Sequence, residues 1–264
     1  MGINHIDRYF EDIQNKGNNL FVPYIVAGDG GLDKLPERIA FLEKCGVAAI
    51  ELGIPFSDPV ADGPTIQHAG ARAIQNDATL ANILKVLKQS KTERNVPIVL
   101  MTYINPIFAY GVETFAKDAE AAGVDGIIIP DIPLEEEDLV APALKKHDIA
   151  FIRLAAPTST DERLREIAKR SDGFLYAVSV TGTTGERAKH DDRVAQYLQT
   201  LKQYSNVPVL AGFGVSNPTQ AHNLSAHCDG VIVGSKIVQL LHEGKEEAVA
   251  TLIEESIKRN EHVI

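Results

Sequence analysis

Several common features are missing from this 264-residue sequence. It has no tryptophan and only two cysteines, and no apolar run approaches the roughly 20 residues that a bilayer-spanning helix needs. The first 20 residues are polar and charged, unlike a signal peptide. We therefore expect a cytoplasmic protein without membrane contact, in which Cys45 and Cys228 are small, buried, reduced thiols.

Metal-binding spacings and basic charge are missing as well. The eight histidines form no HxxxH or HExxH pattern and there is no CxxC, so we predict no metal site. The net charge of −10 disfavours nucleic acid as a partner. A small anionic substrate is compatible with this charge, because a local site can oppose the global balance. The 44% hydrophobic and 23% charged content is typical of a soluble globular protein.

Short runs rich in valine and isoleucine alternate with amphipathic helical patterns along the whole chain. The runs lack polar alternation, which is typical of parallel strands buried on both faces. Eight repeats predict an α/β fold, a (β/α)8 TIM barrel, as a single domain over residues 1–264. A doubly wound sheet is the alternative, since it shares the alternation. The predicted strands are Phe21–Ala27, Ala48–Leu52, Ile98–Thr102, Gly126–Pro130, Ala150–Leu154, Phe174–Val178, Val209–Ala211 and Gly230–Val233.

Local signals predict where several helices begin. An extra N-terminal helix over Asn4–Lys16 precedes the first strand. Ser159 and Glu162 have the spacing of a capping box, and Ser216-Asn217-Pro218 is typical of a helix start. The acidic run 135–138 is interpreted as a helix N-terminus with a favourable dipole contact.

The run from Glu51 to Pro64 is the strongest functional signal. A glutamate inside an apolar strand is costly unless it has a partner or a task, and a rigid acidic loop follows directly. We hypothesise that Glu51 and Asp62 form an acid–base pair, with Asp62 on a loop that closes over substrate. The alternatives are a Glu51 carboxylate satisfied by backbone groups or by a buried counter-ion, and a purely structural turn at Asp62. For Asp58 we favour the structural role.

Glycine-bearing segments follow the last three predicted strands, at 182–185, 212–214 and 234–235. In barrels, phosphate is held by loops after strands seven and eight and by a helix start, and glycines let backbone N–H groups approach the anion. We therefore predict a phosphate site, to which Ser235 could add a hydroxyl. Polar and aromatic residues at other strand ends either pack the rim or line a pocket for a flat apolar group; these are Tyr24, Tyr103, Asn105, Asp131 and Tyr176.

The sequence from Glu51 to Gln67 resembles the signature of the alpha subunits of tryptophan synthases, nearly without gaps. The resemblance extends from about Leu20 to Gln239. Supporting matches are Phe21-Val-Pro-Tyr-Ile25 with Gly28-Asp29, Tyr103-Ile-Asn105-Pro106, Pro130-Asp131-Ile-Pro133, Ser179-Val-Thr-Gly-Thr-Thr-Gly185, Gly212-Phe-Gly-Val-Ser216 and Gly234-Ser-Lys-Ile-Val238.

This resemblance implies a lyase of L-tryptophan biosynthesis that cleaves indole-3-glycerol phosphate to indole and glyceraldehyde 3-phosphate by a retro-aldol reaction. No cofactor is implied in this chain. Pyridoxal phosphate is expected only in a partner beta subunit, within an alpha2-beta2 heterotetramer arranged alpha-beta-beta-alpha. A free-standing indole-releasing lyase and a non-catalytic activating partner of the beta subunit are the alternatives.

The resemblance also implies roles for individual residues. Glu51 is the acid–base catalyst, Asp62 holds the indole N–H, and Tyr176 assists. Thr184 is expected to clasp Asp62 on closure. The remaining substrate contacts implied are Tyr24, Tyr103, Asn105, Gly185, Phe213, Gly214, Gly234 and Ser235.

Overall fold

The fold is a closed barrel, seen in a computed structural model that describes residues 2–179 and 187–258. Within these ranges eight parallel strands pair in chain order, and β1 closes the barrel against β8. This confirms the predicted (β/α)8 barrel and excludes a doubly wound sheet, which has two open edges. The strands are β1 Leu20–Val26, β2 Ile50–Gly53, β3 Ile98–Met101, β4 Gly126–Ile128, β5 Ala150–Ala155, β6 Leu175–Val178, β7 Val209–Gly212 and β8 Gly230–Val233.

Helices surround the barrel and connect its strands. Short 3-10 helices cover Leu32–Lys34, Lys91–Glu93 and Leu134–Leu139. The described α-helices are α1 Ile3–Asn15, α2 Leu35–Lys44, α3 Pro64–Gln75, α4 Leu80–Gln89, α5 Ile104–Tyr110, α6 Val112–Ala121, α7 Ala141–Lys146, α8 Asp161–Arg170, α9 Arg187–Tyr204, α10 Pro218–Ser225, α11 Ser235–His242 and α12 Glu246–Ile257. None of them combines the length and apolar character that a membrane crossing needs.

The predicted N-terminal helix is α1, and it closes the bottom of the barrel. Its Ile6 and Phe10 are buried in the same apolar cluster as the inward side chains of the strands. The Phe10 ring lies 6.0 Å from the ring of Phe174. With the bottom filled by apolar side chains, polar groups at the opposite end of the strands remain available for a site.

An Asp-Gly pair lies at or just before the start of three even-numbered strands, β4, β6 and β8. The carboxylate of Asp125 accepts a hydrogen bond from Ile98 N, 3.0 Å away, at the start of the preceding strand. Asp229 does the same for Val209 N at 2.9 Å, and Asp172 precedes β6 in the equivalent place. Each aspartate therefore aligns an odd strand with the even strand that follows, at the N-terminal end of the barrel.

Two predicted helix starts have different outcomes. Asn217 caps α10 as predicted, since its side chain accepts from Gln220 N at 3.0 Å. The capping box is wrong by one residue: α8 begins at Asp161, and Thr160 accepts from Arg163 N at 3.3 Å. The two adjacent hydroxyl residues offer equivalent chemistry, and only the path of the backbone selects between them.

The acidic run 135–138 lies inside the 3-10 helix Leu134–Leu139 instead of at the start of an α-helix. Glu137 is buried and makes a bidentate pair with Arg153 of β5, at 2.7 and 2.9 Å. The exposed Glu135 pairs with Arg163 of α8. Ion pairs to neighbouring elements therefore explain this run. Both cysteines are buried and free, as predicted.

Candidate active site

A cavity of about 380 Å³ opens at the C-terminal end of the strands. It lies where barrel enzymes place their active sites. Its walls come from β1, β2, β3 and the last three strands, together with the loop that joins β2 to α3. The predicted site residues that line it are Tyr24, Glu51, Asp62, Tyr176, Gly214, Gly234 and Ser235.

Glu51 is the most unusual group in this cavity. It lies on β2 beside Tyr24 of β1 and is 1% exposed. Neither of its carboxylate oxygens has a hydrogen-bond partner among the described residues. Burial, assisted by the nearby Asp62 charge, raises the pKa of Glu51 to about 8. At neutral pH the group is therefore a protonated acid in an apolar setting, ready to donate a proton.

Asp62 is half-buried on the loop between β2 and α3. Burial raises its pKa, and a hydrogen bond from the Tyr103 hydroxyl works in the opposite direction by stabilising the carboxylate. The loop is anchored on both sides of this residue. Ala61 N donates to the Tyr103 hydroxyl at 3.0 Å, and the Gln67 side chain donates to the Asp62 carbonyl at 2.8 Å.

The two carboxyl groups therefore differ in their surroundings. Glu51 has no donor to stabilise a negative charge, while Asp62 has one and is partly open to water. Two neighbouring carboxyls in such different settings can hold different protonation states at one pH. The arrangement suits a reaction that needs a proton donor and a negative charge together.

The other end of the cavity has the features of an anion site. Gly214 has a φ of +66°, a conformation that favours glycine. Gly234 precedes α11, whose first residue is Ser235, and both residues line the cavity. The positive end of that helix dipole therefore faces the cavity. Lys236 also lines this end, and our sequence reasoning missed it although the motif at 234–238 contained it. Thr184 and Gly185 lie outside the described residues.

Two tyrosines line the cavity, Tyr24 on β1 and Tyr176 on β6, and each lies over a glycine of the next strand. A side chain at Gly53 would come within 2.0 Å of the Tyr24 hydroxyl, and one at Gly212 within 2.3 Å of the Tyr176 ring. Burial raises the pKa of both phenols well above the ordinary value. Both hydroxyls therefore stay neutral and can donate hydrogen bonds.

Three predicted substrate contacts do not line the cavity. Tyr103 stands behind the Asp62 loop, with Phe56 against its ring at 5.3 Å. Asn105 is exposed in the first turn of α5. Phe213 packs near Tyr197, with 6.4 Å between the rings.

Sequence reasoning also missed a buried anchor behind the site. Asp29 follows β1 and accepts two hydrogen bonds of 2.8 Å from the Arg72 guanidinium of α3. Arg38 of α2 donates to the Asp29 carbonyl at 2.6 Å. This anchor ties the loop after β1 to the helix that follows the Asp62 loop. Gly28-Asp29 was a visible motif, but its partner in α3 had no local signal.

Comparison with known proteins gives consistent matches over nearly the whole chain. A family model described as "Tryptophan synthase alpha chain" matches residues 10–263. The tryptophan synthase alpha chain of Oceanobacillus iheyensis is 61% identical over 257 residues, covering 97% of this chain and 98% of that protein. The one from Bacillus cereus is 45% identical over 261 residues, 99% and 100% of the two chains. The crystal structure of tryptophan synthase subunit alpha from Legionella pneumophila superposes with a TM-score of 0.85 at 34% identity, covering 97% of each chain.

Proposed function

The chain belongs to the tryptophan synthase alpha chain family, and from that premise we propose that Glu51 and Asp62 carry out the family's lyase reaction. The reaction cleaves indole-3-glycerol phosphate to indole and glyceraldehyde 3-phosphate in tryptophan biosynthesis. The observation that carries the residue assignment is Glu51, a buried carboxyl without a partner among the described residues, facing the cavity.

We assign both proton transfers to Glu51. The protonated carboxyl gives its proton to C3 of the indole ring, which leaves a positively charged ring and a carboxylate. That carboxylate takes the proton of the hydroxyl on the adjacent glycerol carbon, and the carbon–carbon bond breaks. Its electron pair returns to the ring, the hydroxyl carbon becomes an aldehyde, and Glu51 is protonated again. The reaction needs no cofactor in this chain, because Glu51 both gives and recovers the proton.

We assign supporting roles in these steps to Asp62 and Tyr176. The Asp62 carboxylate accepts the indole N–H, and its negative charge stabilises the positive ring formed after protonation. Tyr176 offers a neutral hydroxyl from its place on β6. Tyr103 acts through Asp62, since its hydroxyl contacts the loop and does not line the cavity. The contacts of Asn105 and Phe213 with substrate stay predictions.

The phosphate group fits the end formed by Gly214, Gly234 and Ser235. Backbone N–H groups and the α11 dipole favour an anion there. Lys236 adds a positive charge within reach of the same end. Tyr24 lies between this end and Glu51, where it would contact the indole. Thr184 and Gly185 stay predictions from the family resemblance.

We also propose that the chain works with a beta subunit in an alpha2-beta2 assembly. The loop after β2 supports this, because Asp58 is exposed and Val60, an apolar residue, is 84% exposed. An exposed apolar side chain beside the cavity mouth is suited to a partner surface. A free-standing lyase would release indole at full rate alone, whereas a subunit would need the added beta chain.

The test is indole release from indole-3-glycerol phosphate, measured with and without a beta subunit. For Glu51→Gln we expect a loss of about two orders of magnitude or more, typical of a lost general acid–base. Glu11→Gln is a matched control, because Glu11 is an exposed residue of α1 at the opposite end of the barrel. Full activity of Glu51→Gln would contradict the assignment. No indole release by the wild type in either condition would leave only the role of an activating partner.

A further inference from the structure

Tyr24 stands between two glycines of the neighbouring strands. Gly53 is the last residue of β2, and Gly234 directly follows β8. On the β2 side the contact is close: a Cβ built on Gly53 would lie 2.0 Å from the Tyr24 hydroxyl and 2.5 and 2.8 Å from two ring carbons. On the β8 side a Cβ on Gly234 would meet the base of Tyr24 at 3.6 Å, an ordinary contact.

The hydroxyl of Tyr24 thus occupies the space of an absent side chain. Residues 51 and 53 of β2 point to the same face of the strand, so this space lies on the cavity side, next along from Glu51. The backbone of Gly53 is not in the left-handed region. Its φ therefore does not call for glycine, and the three atoms nearest to an added Cβ all belong to Tyr24.

We propose that Gly53 is a positioning residue for the indole end of the cavity. Its missing side chain lets Tyr24 lie against β2, and this keeps the space in front of Glu51 and Asp62 open for the indole ring. The inference rests on the proposed function, because it is the lyase substrate that this space admits. Gly53 itself does not line the cavity, so its effect is transmitted through Tyr24.

Adding one methyl group at position 53 has a directional consequence. The hydroxyl end of Tyr24 must leave β2 and swing into the cavity, while its base can stay in place beside Gly234. The indole end therefore narrows, and the phosphate end keeps its shape. Gly53→Ala should therefore weaken binding of the indole half of the substrate and leave binding of the phosphate half unchanged.

The experiment compares Gly53→Ala, Tyr24→Phe and the double variant in indole release. For Gly53→Ala we expect about a tenfold loss of kcat/KM, the size of effect produced by overpacking with one methyl group. Tyr24→Phe removes the closest contact, so in the double variant we expect about a threefold recovery over Gly53→Ala alone, a non-additive result. Gly70→Ala is the matched control, since a Cβ there meets nothing within 4 Å.

A second readout separates positioning from general damage. We expect Gly53→Ala to raise the inhibition constant of an unreactive analogue that carries both indole and phosphate. The inhibition constant of glycerol 3-phosphate, which has no indole ring, should stay unchanged. Equal weakening of both inhibitors, wild-type kcat/KM in Gly53→Ala, or purely additive effects in the double variant would overturn the proposal. Failure of Gly53→Ala and of the double variant to fold, judged by circular dichroism, would make Gly53 a folding residue and would also overturn the proposal. A wild-type chain without lyase activity would instead refute the proposed function.

Discussion

Replacing Glu51 with glutamine should stabilise the protein in a manner that depends on pH. The carboxyl is buried without a partner among the described residues, and its pKa of about 8 lies far above the ordinary value of 4.5. Between these two values the folded chain holds a proton that the unfolded chain releases. Folding stability therefore falls as the pH rises through this window. Glutamine is always neutral and is free of this effect.

The magnitude follows from the pKa difference. The two values differ by about 3.5, and each pKa unit corresponds to about 1.4 kcal/mol. Well below pH 4.5 the carboxyl is protonated in both the folded and the unfolded chain, and the destabilisation is absent. It reaches about 3 kcal/mol near pH 7 and about 5 kcal/mol above pH 8. The fixed effect of burying an amide adds equally at every pH and cancels when two pH values are compared.

The assay is urea unfolding followed by circular dichroism at pH 4.5 and pH 8.5. We expect the difference in unfolding free energy between Glu51→Gln and wild type to grow by about 4 kcal/mol from the lower to the higher pH. Glu11→Gln, an exposed change of the same kind, should show a far smaller change in this difference between the two pH values. A constant difference for Glu51→Gln would refute the reasoning, since it would mean that the folded carboxyl titrates normally.

Three further predictions concern the phosphate end, the Asp62 loop and the barrel bottom. Gly234→Asp should raise the KM by about tenfold or more, because its carboxylate repels the phosphate of the substrate. The neutral Gly234→Asn should raise the KM far less. An unchanged KM in Gly234→Asp would mean that the phosphate binds at another place. Tyr103→Phe removes a hydrogen bond that lowers the pKa of Asp62, so the acid limb of the kcat/KM profile should move to higher pH. An unmoved acid limb would contradict this. Asp125→Ala should lower the unfolding free energy by about 3 kcal/mol, because it leaves Gly2 N and Ile98 N without their acceptor; urea unfolding at wild-type stability would speak against it.

The barrel was readable from the sequence because its strands are buried on both faces. The predicted starts at Ile98, Gly126, Ala150 and Gly230 coincide with those of the structure. Each follows a helical pattern and begins an unbroken apolar run, so the period of the sequence changes sharply there. Glu51 was readable for the complementary reason, as a single ionisable group inside such a run.

Contacts between distant elements could not be read in this way. The hydrogen bond between Ala61 and Tyr103, and the pair formed by Asp29 and Arg72, each join residues about 40 positions apart. Their formation depends on side-chain direction across neighbouring strands and helices, which leaves no periodic trace. The sequence shows a glycine at position 53, at the end of a predicted strand. The role that we propose for it depends on Tyr24, which belongs to another strand.

The pairing of β1 with β8 has a consequence for how the site comes into being. Leu20 and Gly230 are neighbours in the barrel but lie almost a full chain length apart, and such distant pairings form late in folding. During synthesis, β1 and β2 leave the ribosome first and can bring Tyr24 and Glu51 together early. The phosphate end and the last wall beside Tyr24 arrive only with the final strand. A nascent chain therefore contains Glu51 long before its barrel closes, and the walls of the cavity are complete only after β8 pairs with β1.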